Sequence, residues 1–589
     1  MLLAIALFAF QIFQGELSLY VFLGLLFVWL SLHPTWPAAF FRLYRSKTSF
    51  SLEHAFNTCL CLYLGITLIQ ALLSPYHLRS MQVFFKLLAM YLLFMYLRFS
   101  SSKAERGLLY GVCLVAALLQ VFGGVWQVFF DSTPMPLSWA STPGIADPVK
   151  RAFGLQPDPN VLGTFLGLML LSLIAFQQFS EKLWIWPVSI FLGFGIILTQ
   201  SRGALLAAMA SLFVLWVLKR TGLHLILLVL LAGGMMITGR SRTLVLEDLG
   251  VNQRVELLSG IFEYIGANFI WGSGPGSFHL VYPEFRSLGG YYPGYAHNHI
   301  LEVFCEQGAI GVVPLVLAIF ILGVILWKRH SKTVLPLYVF CVLNSMVGHS
   351  FSLMNQSVVL VLLLGIGMAK HRASLVTVPW NFWFLVLFLP YGCLEILRPT
   401  LILNEKAYKE PYQWFSGLPA VIGLDLGYYQ AVTLNHLEKR EVDSKALIQN
   451  LRYNSLLREI LPKEAELPWL AGRILQKAKK EELATVYFAK AHHLDPYGEK
   501  YAESYLRRLR EEDKCDVLIP IAKSVLLSNL QYRRINPFYD RIFVLQLACY
   551  LRMGRLDELK DEFNSSVWAD EEFRSQVRNT ILEEVPDGL

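Results

Sequence analysis

Gly308-Ala309-Ile310-Gly311-Val312-Val313-Pro314-Leu315-Val316-Leu317-Ala318-Ile319-Phe320-Ile321-Leu322-Gly323-Val324-Ile325-Leu326-Trp327 is an uncharged apolar run closed by Lys328-Arg329. Its length suits a hydrocarbon core about 30 Å thick. Lipid offers no partner to a backbone amide or carbonyl, so such a span must be helical or belong to a closed barrel. The run is the main part of a span at 301–327. Outward from it, comparable runs recur near 1–13 and 16–32 (both short, joined by Gln14-Gly15-Glu16), 54–74, 80–97, 108–130, 160–177, 183–199, 204–218, 222–237, 333–350, 354–369 and 378–396. With 55% hydrophobic and 16% charged residues, the chain reads as an all-α polytopic membrane protein. The expected count is about 12–13 transmembrane helices.

Basic residues give the orientation, because Lys and Arg concentrate in cytoplasmic loops. Arg42, Arg45 and Lys47 follow the second run; Arg98, Lys103 and Arg106 follow the fourth. Lys182 follows the sixth, Lys219 and Arg220 the eighth, Lys328, Arg329 and Lys332 the tenth, and Lys370 and Arg372 the twelfth. Every even-numbered exit is basic, so the N-terminus is expected inside. The 131–159 loop, the 200–203 turn, the 238–299 loop and everything past about 397 are then expected outside. The net charge of +7 reflects this orientation and does not point to nucleic acid. Met1-Leu2-Leu3 has no positive n-region or cleavage site, so the first run is read as an uncleaved span.

Two domains follow: 1–397 in the membrane, with the large outer loop 238–299, and an outer helical domain at 398–589. Past Pro399 the composition turns to mixed charge with helical periodicity. Gly472, Ala484, Phe488, Ala491 and Pro496 fall at the small, aromatic and proline positions of a tetratricopeptide repeat. An unrelated helical domain is the other reading, and a binding surface is expected in either case. Cys515 and Cys549 share this domain, but spacing does not decide whether they pair.

Arginines on the outer side of a positive-inside protein need a reason. Arg151 lies in Lys150-Arg151-Ala152-Phe153-Gly154, Arg202 in Gln200-Ser201-Arg202-Gly203, and Arg254 in Asn252-Gln253-Arg254-Val255-Glu256. A guanidinium fork suits phosphate oxygens; snorkelling to headgroups or capping of helix carbonyls is the alternative. Val255, Leu258, Phe262 and Ile265 recur at helical spacing, so 250–267 is expected as an amphipathic helix lying on the membrane. Trp271-Gly272-Ser273-Gly274-Pro275-Gly276-Ser277-Phe278 reads as a plain turn or as a loop whose amides approach a phosphate. His297 precedes a helix expected from near Ile300. The helix dipole there favours the neutral, proton-accepting imidazole, which suits a general base. His299, Glu302 and Glu306 continue a polar face. His297 as a mere cap is the alternative, and His297-x-His299 lacks a third ligand at metal-site spacing. Asp158 and Asn160 read as caps of the sixth span.

His297-Asn298, nine residues, then Gly308-Ala309-Ile310-Gly311 is a full match to the signature of the O-antigen ligase and O-antigen polymerase superfamily. Taken with Arg151 to Gly154, Asn160, Ser201-Arg202-Gly203 and Arg254 leading into Gly272-x-Gly274-Pro275-Gly276, the chain resembles that family over roughly 145–370. The resemblance implies a GT-C-like membrane glycosyltransferase without metal or cofactor. It would act on the outer face of the bacterial inner membrane, moving a glycan from undecaprenyl pyrophosphate to an acceptor. Carried onto this chain, His297 would deprotonate the acceptor hydroxyl. Arg202 and Arg254, with Arg151, would hold the leaving pyrophosphate, and Asn298, His299, Gly308, Gly311 and Asn160 would support them. Direct displacement would invert the anomeric carbon. Lipid A-core is the expected acceptor; polymerisation of repeats and transfer to protein stay open, as the long outer domain could recruit an envelope protein. A transporter of lipid-linked sugars would instead predict ionisable residues along a mid-membrane path. Lys86 is the main one well inside a span. A structural assembly protein would predict no effect from changing His297.

Overall fold

The computed structural model describes residues 52–99, 101–130, 151–176, 184–219, 222–243, 249–285, 295–329, 333–348, 354–369, 444–460, 464–527 and 537–555, apart from single positions inside them and a few isolated residues elsewhere. These residues are 85% helical with no strand. The runs at 1–13, 16–32 and 378–396, the basic residues Arg42, Arg45, Lys47, Lys182, Arg220, Lys332, Lys370 and Arg372, and the boundary near 397 lie outside the described residues.

Twelve described elements build the membrane part. They are α1 (Leu52–Leu73), α2 (His77–Phe99), α3 (Lys103–Phe129), α4 (Pro159–Ala175), α5 (Ile185–Thr199), α6 (Arg202–Lys219), α7 (Gly222–Thr243), α8 (Leu249–Ala267), the short α9 (Phe278–Val281) running into a 3₁₀ turn at Tyr282–Phe285, α10 (His299–Arg329), α11 (Leu335–Val347) and α12 (Met354–Gly367). Five stretches are long and apolar enough to cross a membrane: Leu52–Leu73, Arg79–Phe99, Lys103–Phe129, Arg202–Lys219 and His299–Arg329. The apolar helices at Pro159–Ala175, Ile185–Thr199, Leu335–Val347 and Gln356–Gly367 are shorter. α11 ends at Val347 and α12 begins at Met354, with most of the residues between them outside the described ones.

α4 lies at the centre, apolar and buried along nearly its whole length, with α5, α6, α11 and α12 around it. Its start is set by Asp158, whose carboxylate accepts from the amides of Asn160 and Val161, with Pro159 in the first helical position. This is the cap expected of Asp158. α10 packs along α1. At one end Glu53 of α1 pairs with Arg98 of α2 at 3.1 Å and with Arg329 of α10. α10 starts at the opposite end, so the basic exits of α2 and α10 share one end and His297 lies at the other.

The C-terminal helices are α13 (Ser444–Ile460), α14 (Glu466–Lys477), α15 (Glu481–Leu494), α16 (Glu499–Glu511), α17 (Cys515–Leu527) and α18 (Pro537–Arg552). α14 and α15 form a hairpin in which Ala484, Phe488 and Ala491 are buried. Gly472 lies against Phe488 so closely that a Cβ would stand 2.6 Å from its ring. Cys515 and Cys549, whose pairing the spacing left open, form a disulfide between α17 and α18 with Cα atoms 5.2 Å apart.

Candidate active site

The first turn of α10 explains the His297-Asn298 pair. The Asn298 side-chain oxygen accepts from the amides of Ile300 and Leu301, both at 3.1 Å, and so caps the helix. Its amide nitrogen donates to the Met346 carbonyl at 3.2 Å, tying α10 to the end of α11. On the other side of His297, the buried Ala296 donates its N–H to the Glu302 carboxylate at 3.1 Å. His297 itself is half-buried and takes a left-handed backbone with φ 51°. Asn298, not His297, is the cap.

Nine residues further, Gly308 interrupts α10 with φ 61° and ψ −168°. The backbone groups released there bond to the 269–274 segment. Cys305 and Glu306 carbonyls accept from Ser273 at 3.2 Å and Gly274 at 2.7 Å, while Ala309 and Ile310 amides donate to Phe269 at 2.8 Å and Ile270 at 3.3 Å. Two backbones can approach so closely only without side chains between them. A Cβ on Gly308 would stand 2.3 Å from the Ile270 oxygen, and one on Gly272 would stand 2.4 Å from the Glu306 carbonyl.

The glycine-rich stretch is therefore a structural turn. Its Gly272, Ser273, Gly274 and Ser277 amides are spent on protein carbonyls, and the Gly276 and Phe278 amides go to the Glu306 carboxylate. None is free for a phosphate.

Several buried polar groups in this joint carried little sequence signal. Gln307 donates to Tyr63 at 3.1 Å and accepts from Thr67 at 3.2 Å, while Gln70 donates to the Gln307 and Trp271 carbonyls at 2.9 and 2.7 Å. Buried polar groups need such partners. A polar residue inside an apolar span was the only clue to them. Gly311 lies beside this side chain, where a Cβ would stand 2.4 Å from that of Gln307.

The arginines fall into three situations. Arg151 is buried; its Nε donates to the Thr199 carbonyl at 3.0 Å and its Nη2 to the Asn160 side chain at 3.3 Å. It closes the C-terminus of α5 onto the start of α4, where a cation meets the negative dipole end. Asn160 thus holds an arginine as well as standing in the α4 cap. Arg202 is exposed at the first residue of α6, on a turn whose Ser201 side chain accepts from Ala204 at 3.4 Å. Arg254 lies on α8, and its side chain is outside what the structure describes.

These pieces share one end of the bundle. Gly203, next to Arg202, packs against Val347 and Asn344 of α11, and Asn344 donates to Thr164 of α4 at 2.9 Å. The same end of α11 receives Asn298. The N-termini of α4, α6 and α10 therefore gather around the C-terminus of α11, with Arg202 exposed among them. The carbonyl ends of α5 and α11 are already met by Arg151 and Asn298. The first amides of these helices are capped by Asp158, Ser201 and Asn298, so the exposed Arg202 guanidinium is the group that suits a bound anion there.

His299 faces elsewhere. It lines a largely apolar cavity of about 290 Å³ between α1, α2, α10, α11 and α12, together with residues such as Tyr63, Phe94, Leu322 and Tyr338. Among the described residues no group of three His, Cys, Asp or Glu side chains comes together to hold a metal ion.

Residues 187–316 match the family model described as O-antigen ligase. The chain carries an O-antigen ligase family domain. The match supports a relation to the ligase and polymerase superfamily, whose members are glycosyltransferase-like membrane enzymes. The matched O-antigen ligase segment runs from Pro187 in α5 to Val316 in α10 and contains Arg202, Arg254, His297, Gly308 and Gly311. Arg151, Asn160 and the C-terminal helices fall outside it. Among curated proteins none matches the chain.

Proposed function

We propose that this protein transfers a glycan from undecaprenyl pyrophosphate to a hydroxyl of lipid A-core on the outer face of the bacterial inner membrane. His297 takes the hydroxyl proton as the acceptor oxygen attacks the anomeric carbon. The anomeric C–O bond to phosphate breaks, its electron pair leaves on the pyrophosphate, and the sugar is inverted. Arg202 and Arg254 neutralise that leaving group. Arg151, already engaged with Thr199 and Asn160, supports the turn on which Arg202 stands.

The observation that carries this reading is the convergence of His297-Asn298 and the exposed Arg202 on one α11 terminus. The apolar cavity below His299 supports a donor with a long hydrocarbon tail. The Cys515–Cys549 disulfide supports an oxidising compartment for the C-terminal helices, in keeping with the outward orientation drawn from the basic loops.

Transfer to a growing glycan or to protein uses the same chemistry. It gains weight from the contact between Glu464, just ahead of α14, and Arg79 at the outer end of α2. A deletion strain separates the three. Core lipid without polymer indicates ligation, single-repeat glycans indicate polymerisation, and an unmodified protein indicates transfer to protein. The test of the site is Arg202→Ala beside Arg202→Lys. Alanine should raise the donor KM or lower kcat by roughly 100-fold, and lysine should recover only part of it. Full activity in Arg202→Ala would remove Arg202 from the site.

A further inference from the structure

We infer that Glu302 is a positioning residue for His297, its carboxylate keeping the histidine backbone in the left-handed conformation. The inference rests on the reading of His297 as the base.

An L-residue at φ 51° is strained unless its surroundings over-determine it. Here both neighbours are fixed. Asn298, after it, is held by three hydrogen bonds to Ile300, Leu301 and Met346. Ala296, before it, is 2% exposed and packs in a core with Tyr76, Leu257, Tyr264 and Phe278. Its N–H is pointed away from water, and the Glu302 carboxylate accepts it at 3.1 Å.

Glu302 is itself buried, which is costly for a carboxylate without donors around it. One turn on, the equally buried Glu306 accepts the amide of Phe278 at 3.2 Å. The two carboxylates therefore share a helix face and divide the work. Glu306 holds the 276–278 turn, and Glu302 holds the segment that enters His297. Loss of the tether frees Ala296 and lets His297 relax to negative φ, carrying the imidazole away from the acceptor oxygen.

The test uses the full chain in lipid nanodiscs, an undecaprenyl-pyrophosphate-linked oligosaccharide as donor and lipid A-core as acceptor. Glu302→Ala should lower kcat by roughly 100-fold, as expected of a misplaced group, with the donor KM changed by less than about twofold. Glu302→Gln keeps an oxygen for the Ala296 amide and should recover most of the loss.

A readout without substrate accompanies it. Amide exchange in the peptide spanning 295–301 should speed up in Glu302→Ala and not in Glu302→Gln, with α4 and α6 peptides unchanged. Unchanged exchange at 295–301, or full kcat in Glu302→Ala while His297→Ala is inactive, would overturn the inference. Activity retained in His297→Ala would instead sink the reading of the base, and the exchange result would still decide whether Glu302 sets this backbone.

Discussion

Gly308 shows how much one hydrogen atom in place of a methyl group decides here. A continuous apolar run containing a glycine reads as a helix with a tolerated weak point, and the sequence offered no reason to break it at 308. The reason is non-local: the opened backbone is taken up by residues 269–274. Gly308→Ala should therefore act on folding. A Cβ 2.3 Å from the Ile270 oxygen at a left-handed φ should destabilise the protein by about 2 kcal/mol or more. A lowered thermal midpoint in detergent would show it, and an unchanged midpoint would mean that the two backbones are not joined there. His297-Asn298 stood out through its nine-residue spacing to Gly308, the pattern that carries the family resemblance. The roles within the pair were not legible, since only coordinates reveal that Asn298 is the cap.

His279 is a second residue with a consequence. Arginine can only donate, so Arg79 Nη1 at 2.6 Å requires His279 Nε2 to accept and leaves the ring proton on Nδ1. Burial and then the Arg79 charge push the His279 pKa down to about 3. A histidine lowered from its ordinary value contributes stability that is full above about 6.5 and is lost as pH falls toward 3. At pH 5 the loss should approach about 2 kcal/mol at most. His279→Gln, unable to charge, should flatten the decline in thermal midpoint between pH 7 and pH 5; an unchanged decline would exclude His279 as its source.

At the scale of the element, α8 departs from its periodicity. Val255, Leu258 and Phe262 are exposed as expected for a helix lying on lipid, but Ile265 is buried with Leu257, Ile261 and Tyr264 against Phe278 and Tyr282. The helix has two apolar faces, and spacing alone could not apportion residues between them. The outer face continues into exposed Phe269, Ile270 and Trp271, which flank Gly308. About 20 residues, or about 30 Å of helix, separate Gly308 from Lys328, the thickness of a hydrocarbon core, so the two fall near its opposite edges. The aromatic cluster then falls at the level favoured by Trp. A nitroxide at Phe262→Cys in nanodiscs should be relaxed more by oxygen than by an aqueous nickel complex. The reverse order would lift α8 off the membrane.

Across the whole molecule, the shared end of the basic exits of α2 and α10 was legible, because it follows from charge along the chain. The joining of the C-terminal helices to the membrane part was not, since its residues are 385 positions apart. Arg79 Nη2 meets Glu464 at 2.6 Å while Nη1 holds His279, so one guanidinium links α2, the short helix α9 and the segment before α14. Arg79→Glu should expose the 464–470 region to protease, and adding Glu464→Arg should restore part of the protection. Equal protection in all three proteins would mean that other contacts dock the domain.

The central claim is that His297 acts as the base for glycan transfer. Its most direct test is transfer by purified His297→Ala in nanodiscs, with an undecaprenyl-pyrophosphate-linked oligosaccharide and lipid A-core. No product is expected from a variant that still inserts, folds and binds the donor as the parent does. Product formed at the parent rate would contradict the claim.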